Sequence, residues 1–191
     1  MNYSKIKYYD IANGPGCRTS IFVSGCNLHC NGCFNQEAWD FNAGKPFTTK
    51  VITDILSSCN HDYIKGISIL GGEPLEPENQ AAVYDLIYIF RQEYGSNKDI
   101  WLYTGYTWDW LNIHRDDPDT YIGDILDNID VLVDGPFQQD KADILLRFKG
   151  SSNQRLIDAK KSTKYNLIFW DDGPIFNSHA SYSDKVSPNE Q

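Results

Sequence analysis

Cys26, Cys30 and Cys33 stand in one short run, Gly25-Cys-Asn-Leu-His-Cys-Asn-Gly-Cys-Phe-Asn35, spaced as C-x3-C-x2-C. No other feature constrains the chain so tightly, because a single loop must present three thiolates to one inorganic centre. A cubane [4Fe-4S] cluster usually takes four cysteines. Three local ones leave one iron without a protein ligand. An iron left open in this way can bind a substrate or cofactor and do chemistry. The competing readings are a zinc knuckle or three buried thiols. Structural zinc wants a closed set of four ligands. His29, Cys17 or Cys59 would have to supply the fourth, and none of them forms a second paired motif.

The rest of the chain sets the surroundings of that loop. Its 191 residues, 41% hydrophobic and 14% aromatic, suffice for one domain with a sizeable core. A net charge of -9 and no basic stripe argue against nucleic-acid binding. The longest apolar runs, such as Ile67–Leu70 and Val131–Val133, are far too short to span a bilayer, so no membrane association is expected. Met1–Asp10 is polar and aromatic with no apolar segment, which does not read as an export signal. A cytoplasmic location with reduced thiols is therefore expected. Five cysteines, an odd count, also suit disulfides poorly.

Residues 1–16 read as a lead-in ending in the turn Asn13-Gly14-Pro15-Gly16. Arg18–Ser24 reads as a strand, and the cysteine loop follows it directly. Helical spacing of Val51, Ile52, Ile55 and Leu56 predicts a helix over Thr48–Cys59. Gly66–Leu70 reads as a buried strand ending at Gly71-Gly72-Glu73-Pro74. Glu78–Tyr94 is the clearest helix, with Gly95 after its end. Strands are expected at Asp99–Tyr103, Ile129–Val133 and Asn166–Trp170, with a helix at Thr120–Asn128. Alternation of strands and helices implies a mostly parallel sheet with right-handed crossovers. In such sheets the carboxyl edge carries the site. The cysteine loop, Gly71–Pro74, Thr104–Tyr106 and Asp134-Gly135 are expected to converge there.

Ser24-Gly25-Cys26-x3-Cys30-x2-Cys33 resembles the signature of radical S-adenosylmethionine (SAM) enzymes. The resemblance implies that the amino and carboxylate groups of SAM chelate the open iron. It also implies that an electron from the cluster cleaves SAM to methionine and a 5′-deoxyadenosyl radical, which abstracts a hydrogen atom. Gly71-Gly72-Glu73-Pro74 alone would read as an ordinary strand-to-helix turn. Placed 38 residues after Cys33, it is similar to the Gly-Gly-Glu-type motif of that superfamily, which contacts the SAM amino group. Asn13-Gly14-Pro15-Gly16 with Arg18, Asp99-Ile100-Trp101-x2-Thr104-Gly105-Tyr106, Asp130–Gly135 and Gly150–Arg155 narrow the resemblance to the anaerobic ribonucleoside-triphosphate reductase activating proteins, over about Met1 to Ile157.

The fold expected from these readings is α/β, an incomplete (β/α) barrel of the radical SAM type. It forms a single domain over residues 1–170, with a polar C-terminal tail over 171–191, of which Ser181–Gln191 is expected to be mobile. Cys26, Cys30 and Cys33 would be the metal ligands. Gly32, Cys33, Phe34, Gly71, Gly72 and Glu73 would bind the cofactor, with Phe34 meeting the adenine where many radical SAM proteins have an aromatic in place of Gly32. No catalytic side chain beyond the cluster and SAM is implied, because a hydrogen atom moves and not a proton. The implied partners are the large catalytic subunit of anaerobic ribonucleotide reductase and an external one-electron donor such as flavodoxin. Activation of another glycyl-radical enzyme, or small-molecule chemistry of the deazapurine-forming kind, is the alternative. Asp134, Gly135, Asn153, Gln154 and Arg155 are open between lining the site and building turns. So are Thr104 and Tyr106 between touching SAM and packing, and Trp108 and Trp110 between core and partner patch. Cys17 and Cys59 read as small buried side chains. His61, His114 and His179 have no partners at ligand spacing.

Overall fold

The computed structural model describes residues 1–171. Its strands are β1 (Asn2–Asp10), β2 (Cys17–Val23), β3 (Lys45–Pro46), β4 (Ile64–Gly71), β5 (Asp99–Tyr103), β6 (Val131–Asp134) and β7 (Arg155–Asp158). Its helices are α1 (Thr49–Cys59), α2 (Pro77–Tyr94), α3 (Trp108–His114) and α4 (Ile122–Asn128). The strands form a single seven-stranded sheet in the order β3-β1-β2-β4-β5-β6-β7.

The sheet is mixed, which corrects the expectation of a mostly parallel one. β2, β4, β5 and β6 run parallel. β1 is antiparallel to β2 and to β3, and β7 is antiparallel to β6. For β1 and β2 the physical reason lies in their connection. A parallel pair needs a crossover of roughly a dozen residues or more, whereas a short turn can only reverse the chain. The Asn13–Gly16 turn therefore makes β1 and β2 a hairpin. Met1–Asp10, expected as a lead-in, is mostly a strand whose residues are largely half-buried, so it lacks a continuous apolar signal. The expected strand at Asn166–Trp170 forms only isolated bridges, such as Ile157 with Phe169. Ser181–Gln191 and His179 lie outside the described residues.

Period-two alternation divides the strands between two faces. Ile21, Val23, Ile67, Ile69, Ile100, Leu102, Leu132 and Ile157 enter the main core with residues of all four helices, including Ile55, Phe90, Leu111 and Ile125. Trp101, Val131, Val133 and Leu156 point the other way and pack with Tyr103, Phe148 and Trp170. Arg18 is fully buried. Its guanidinium donates to Ser68 Oγ and the Ile67 carbonyl, each at 2.8 Å, pairs with Asp99 and lies over the Trp101 ring. Ser68 Oγ in turn donates to the Asn13 carbonyl, so the buried arginine fixes the β1–β2 turn against the sheet. Among the described residues no helix is long and apolar enough to cross a membrane.

Candidate active site

The four parallel strands β2, β4, β5 and β6 all end at one edge, and the segments after them meet there, as the sequence predicts. A cavity of about 130 Å³ lies between them. Cys30, Cys33 and Phe34 line it from the loop after β2, and Gly71, Gly72 and Glu73 from the turn after β4. Thr104 and Gly105 come from the segment after β5, and Gly135 from the segment after β6. Gly32 and Cys26 are not among the lining residues. Gly32 is exposed, with φ +72°. Cys26 is buried behind the loop.

The cysteine loop is anchored to the Gly-Gly-Glu turn by backbone and side chain together. Gly72 N donates to the Val23 carbonyl at 2.8 Å and Glu73 N to the Gly25 carbonyl at 2.7 Å. This contact explains the two glycines. Gly71 has φ +117°, and a Cβ there would sit 2.6 Å from Val23 N; one on Gly72 would sit 2.5 Å from the Gly25 oxygen. Their smallness lets two backbones close on each other, besides leaving the cavity open. Cys33 N donates to the Cys30 carbonyl, closing a turn, and His29 stacks on Trp39 with ring centres 4.5 Å apart.

Two residues that the sequence reading missed complete the anchor. Glu76, buried at the start of α2, does not cap its own helix. It accepts from Asn27 N at 2.7 Å and Asn27 Nδ2 at 3.0 Å, fixing the first residue of the cysteine loop after Cys26. Asn79 Nδ2 donates to the Ser24 carbonyl at 3.0 Å and the Glu73 carbonyl at 2.9 Å. The available signal was a carboxylate just before Pro77 at a helix start, a position that normally favours acids for the helix's own sake.

Glu73 is buried, and desolvation pushes its carboxyl up to about 7 despite three hydrogen bonds. Oε1 accepts from Leu75 N at 2.9 Å and Thr104 Oγ1 at 2.8 Å; Oε2 accepts from Gly105 N at 2.7 Å. A carboxylate has about four acceptor positions. One is left on Oε2, on a residue that lines the cavity. Burial pushes the Cys26 thiol up to about 11, against backbone N–H groups of Leu28 and His29, and raises Cys30 as well. A cluster held by these thiols would therefore have to displace protons that burial keeps on them.

The donor set fits an iron–sulfur cluster with one open corner. Three soft sulfurs share one loop, and neither Cys17 nor Cys59 joins them. Cys17 opens β2, about 20 Å of strand from its far end, and Cys59 is buried at the end of α1. Among the described residues no three His, Cys, Asp or Glu side chains are placed to hold a single metal ion. A cubane instead takes its cysteines one per iron. Asn35 lines the cavity beside Cys33, and its buried Nδ2 has no partner among the described residues, a donor awaiting an acceptor.

The residues left open by sequence now separate. Thr104, Gly135 and Gln154 line the cavity. Asp134 is buried beneath it, accepting from Trp108 N at 2.7 Å and from Arg155. Asn153 Nδ2 donates to the Pro136 carbonyl. Tyr106 stacks on Trp110, which stacks on His114. Trp108 is core, and Trp110 is 36% exposed.

Comparison with known proteins agrees with this arrangement. Residues 12–157 match the family model described as a 4Fe-4S single cluster domain. An anaerobic ribonucleoside-triphosphate reductase-activating protein of Escherichia coli K12 is 44% identical over 156 residues, 81% of this chain and 96% of its own length. The protein of that name from Pasteurella multocida is 44% identical over 158 residues, covering 81% of this chain and 95% of its own. That from bacteriophage T4 is 35% identical over 156 residues, covering 82% and 93%. This chain belongs to the family of anaerobic ribonucleoside-triphosphate reductase-activating proteins. The span of the family model, from the β1–β2 turn to β7, contains every residue that lines the cavity.

Proposed function

We propose that the chain is the activase of anaerobic ribonucleotide reductase, a radical SAM enzyme that forms a glycyl radical on the large reductase subunit. One observation carries the reading: the fold closes Cys30 and Cys33 with Gly71, Gly72 and Glu73 around one cavity, in a chain of this family. Cys26, Cys30 and Cys33 would hold a [4Fe-4S] cluster. When bound and reduced, that cluster supplies the electron for a net change in which SAM, one electron and a glycine Cα–H give methionine, 5′-deoxyadenosine and a glycyl radical.

The chain's own residues bind and orient. The free acceptor position on Glu73 suits the methionyl ammonium of SAM. Gly71 and Gly72 keep the backbone close beside it. Phe34, 84% exposed at the rim, offers a ring to the adenine. Gly32 shapes the cysteine turn and supports SAM only through it. No side chain need accept a proton. An incomplete barrel of the radical SAM type, open on one side, would suit a protein substrate better than the closed pocket expected for a small molecule. An external one-electron donor such as flavodoxin would serve a cytoplasmic enzyme of this kind, acting as a single domain over residues 1–170.

The test is anaerobic reconstitution with iron, sulfide, reductant and SAM, followed by addition of the large reductase subunit. A glycyl doublet in electron paramagnetic resonance is expected, together with 5′-deoxyadenosine. Cys26→Ala should abolish both; full activity of that variant would refute the ligand assignment.

A further inference from the structure

A second cavity, of about 280 Å³, lies against the first. Tyr103, Phe137 and Gln154 are among the residues that line both. Phe137 belongs to the segment after β6, and Gln154 to the Gly150–Arg155 run that leads into β7. The proposed reaction gives that run no part.

The run spends its polar groups on the neighbouring backbone. Gln154 Oε1 accepts from Gly150 N at 2.8 Å and from Ser151 N at 3.1 Å, which fills both of its acceptor positions. Gln154 Nε2 donates to the Gly135 carbonyl at 3.1 Å, and Asn153 Nδ2 to the Pro136 carbonyl at 2.8 Å. Gln138 N donates to Ser151 Oγ at 3.2 Å. A Cβ on Gly150 would sit 3.1 Å from the Phe137 ring, so the missing side chain lets that ring lie close. Two side-chain amides committed in this way brace residues 135–138.

The braced segment runs along the cysteine loop. Phe137 and Cys30 line the first cavity together, and Phe137, Gln138, Gln139 and Asp140 share a surface hollow with Asn31. Gln139 covers Gly32 so closely that a Cβ there would sit 2.7 Å from its Cδ. Burial raises the Cys30 thiol, and the Phe137 N–H, turned toward that sulfur, opposes the rise by favouring the thiolate. By contrast, Leu28 and His29 meet Cys26, and Asn35 meets Cys33, from within the loop itself. Hydrogen bonds to cluster sulfurs tune the reduction potential. They favour the reduced state, because it carries the more negative charge.

We propose that Asn153 and Gln154 are positioning residues for the cluster. They hold residues 135–138 so that the Phe137 N–H stays on the Cys30 sulfur, where it stabilises the reduced cluster and eases entry of the electron. This rests on the proposed cluster and its need of an electron, and on no step that involves SAM or the reductase.

Two measurements test it, and neither is activity. Gln154→Met keeps the side-chain length and removes the brace. In the cluster-free whole chain, the Phe137 amide of this variant should exchange with deuterium about tenfold faster than in the parent. In the chain reconstituted without SAM, the midpoint potential is read by titration with dithionite. Gln154→Met and Phe137→Pro, which removes the N–H outright, should each lower the reduced-to-oxidised ratio about tenfold at a fixed poise, about 59 mV for one electron. Combined, they should shift it no further than either alone, because both remove one contact. A merely structural role would lower the thermal midpoint and leave the potential at the parent value. A parent-like potential in Gln154→Met, additive shifts in the double variant, or unchanged exchange at Phe137 would each overturn the inference. Should Phe137→Pro not fold, Gln154→Met decides alone. If the loaded parent chain fails to cleave SAM, the proposed reaction falls while the shift in potential stands. If it cleaves SAM and the potentials are alike, this inference falls alone. A chain that takes up no cluster overturns both.

Discussion

The two faces of the sheet are built from the same strands and covered by different things. One face meets four helices through apolar residues, from Ile21 and Ile69 on the sheet to Phe90 and Ile125 on the helices. The other meets loops through Arg18, Ser68, Trp101 and Tyr103, and beside it lie the two cavities. Helix packing buries apolar area with few directional demands. Loop packing over polar side chains needs each hydrogen bond placed, and that placement is what a ligand uses. The first face therefore sets how stable the protein is, and the second what it can hold.

Substitutions can break that division. Phe90→Ala on the helix side should cost the most, about 4 kcal/mol in urea unfolding, because a fully buried ring leaves a cavity. It should leave the iron and sulfide content of folded protein unchanged; loss of the cluster would show the faces to be coupled. Arg18→Ala on the loop side should cost about 3 kcal/mol, the low end for breaking a buried pair, since its partner Asp99 is 37% exposed. It should also loosen the Asn13 turn, seen as faster amide exchange there.

Glu73→Gln should cost about 2 kcal/mol, because an amide donor would face the Gly105 N–H. The same residue gives a pH signature in the cluster-free protein. Burial raises its folded value from 4.5 to about 7, so its contribution to stability is fully present below about 4.5 and is lost as pH rises through about 7. The glutamine variant should flatten the unfolding free energy across that window. An unaltered slope would mean Glu73 is ionised throughout.

The smallest stability effect sharpens the comparison most. Cys33→Ala should change the stability of the cluster-free chain by less than about 0.5 kcal/mol, since Cys33 is only half-buried and holds one weak contact, from Asn35 N. Yet it removes one of the three proposed cluster ligands, and reconstituted iron and sulfide should fall to background. A large loss of cluster-free stability would mean the loop is part of the core.

Much of this was legible in order along the chain. The Asp99–Tyr103 strand and α2 lie where alternation, helical spacing and Gly95 put them. Cys30, Cys33, Phe34, Gly71, Gly72 and Glu73 do share one cavity. β1 was not legible, because its residues alternate Tyr, Lys and Ser and gain burial only by pairing with β2 and β3. Nor was Glu76, whose partner Asn27 is 49 residues away. Nor was the second role of Gly71 and Gly72, which admit a neighbouring backbone before any ligand.

Local covalent spacing and side-chain period are properties of the chain itself, so the cysteine trio, the glycine turn and the strand ends that carry them are determined by sequence alone. The antiparallel return of β7, the clamp of Glu76 on Asn27 and the meeting of two cavities at Tyr103 were decided only by tertiary structure. Each depends on which distant segments stand side by side once the parallel strands align, and no local pattern encodes that distance.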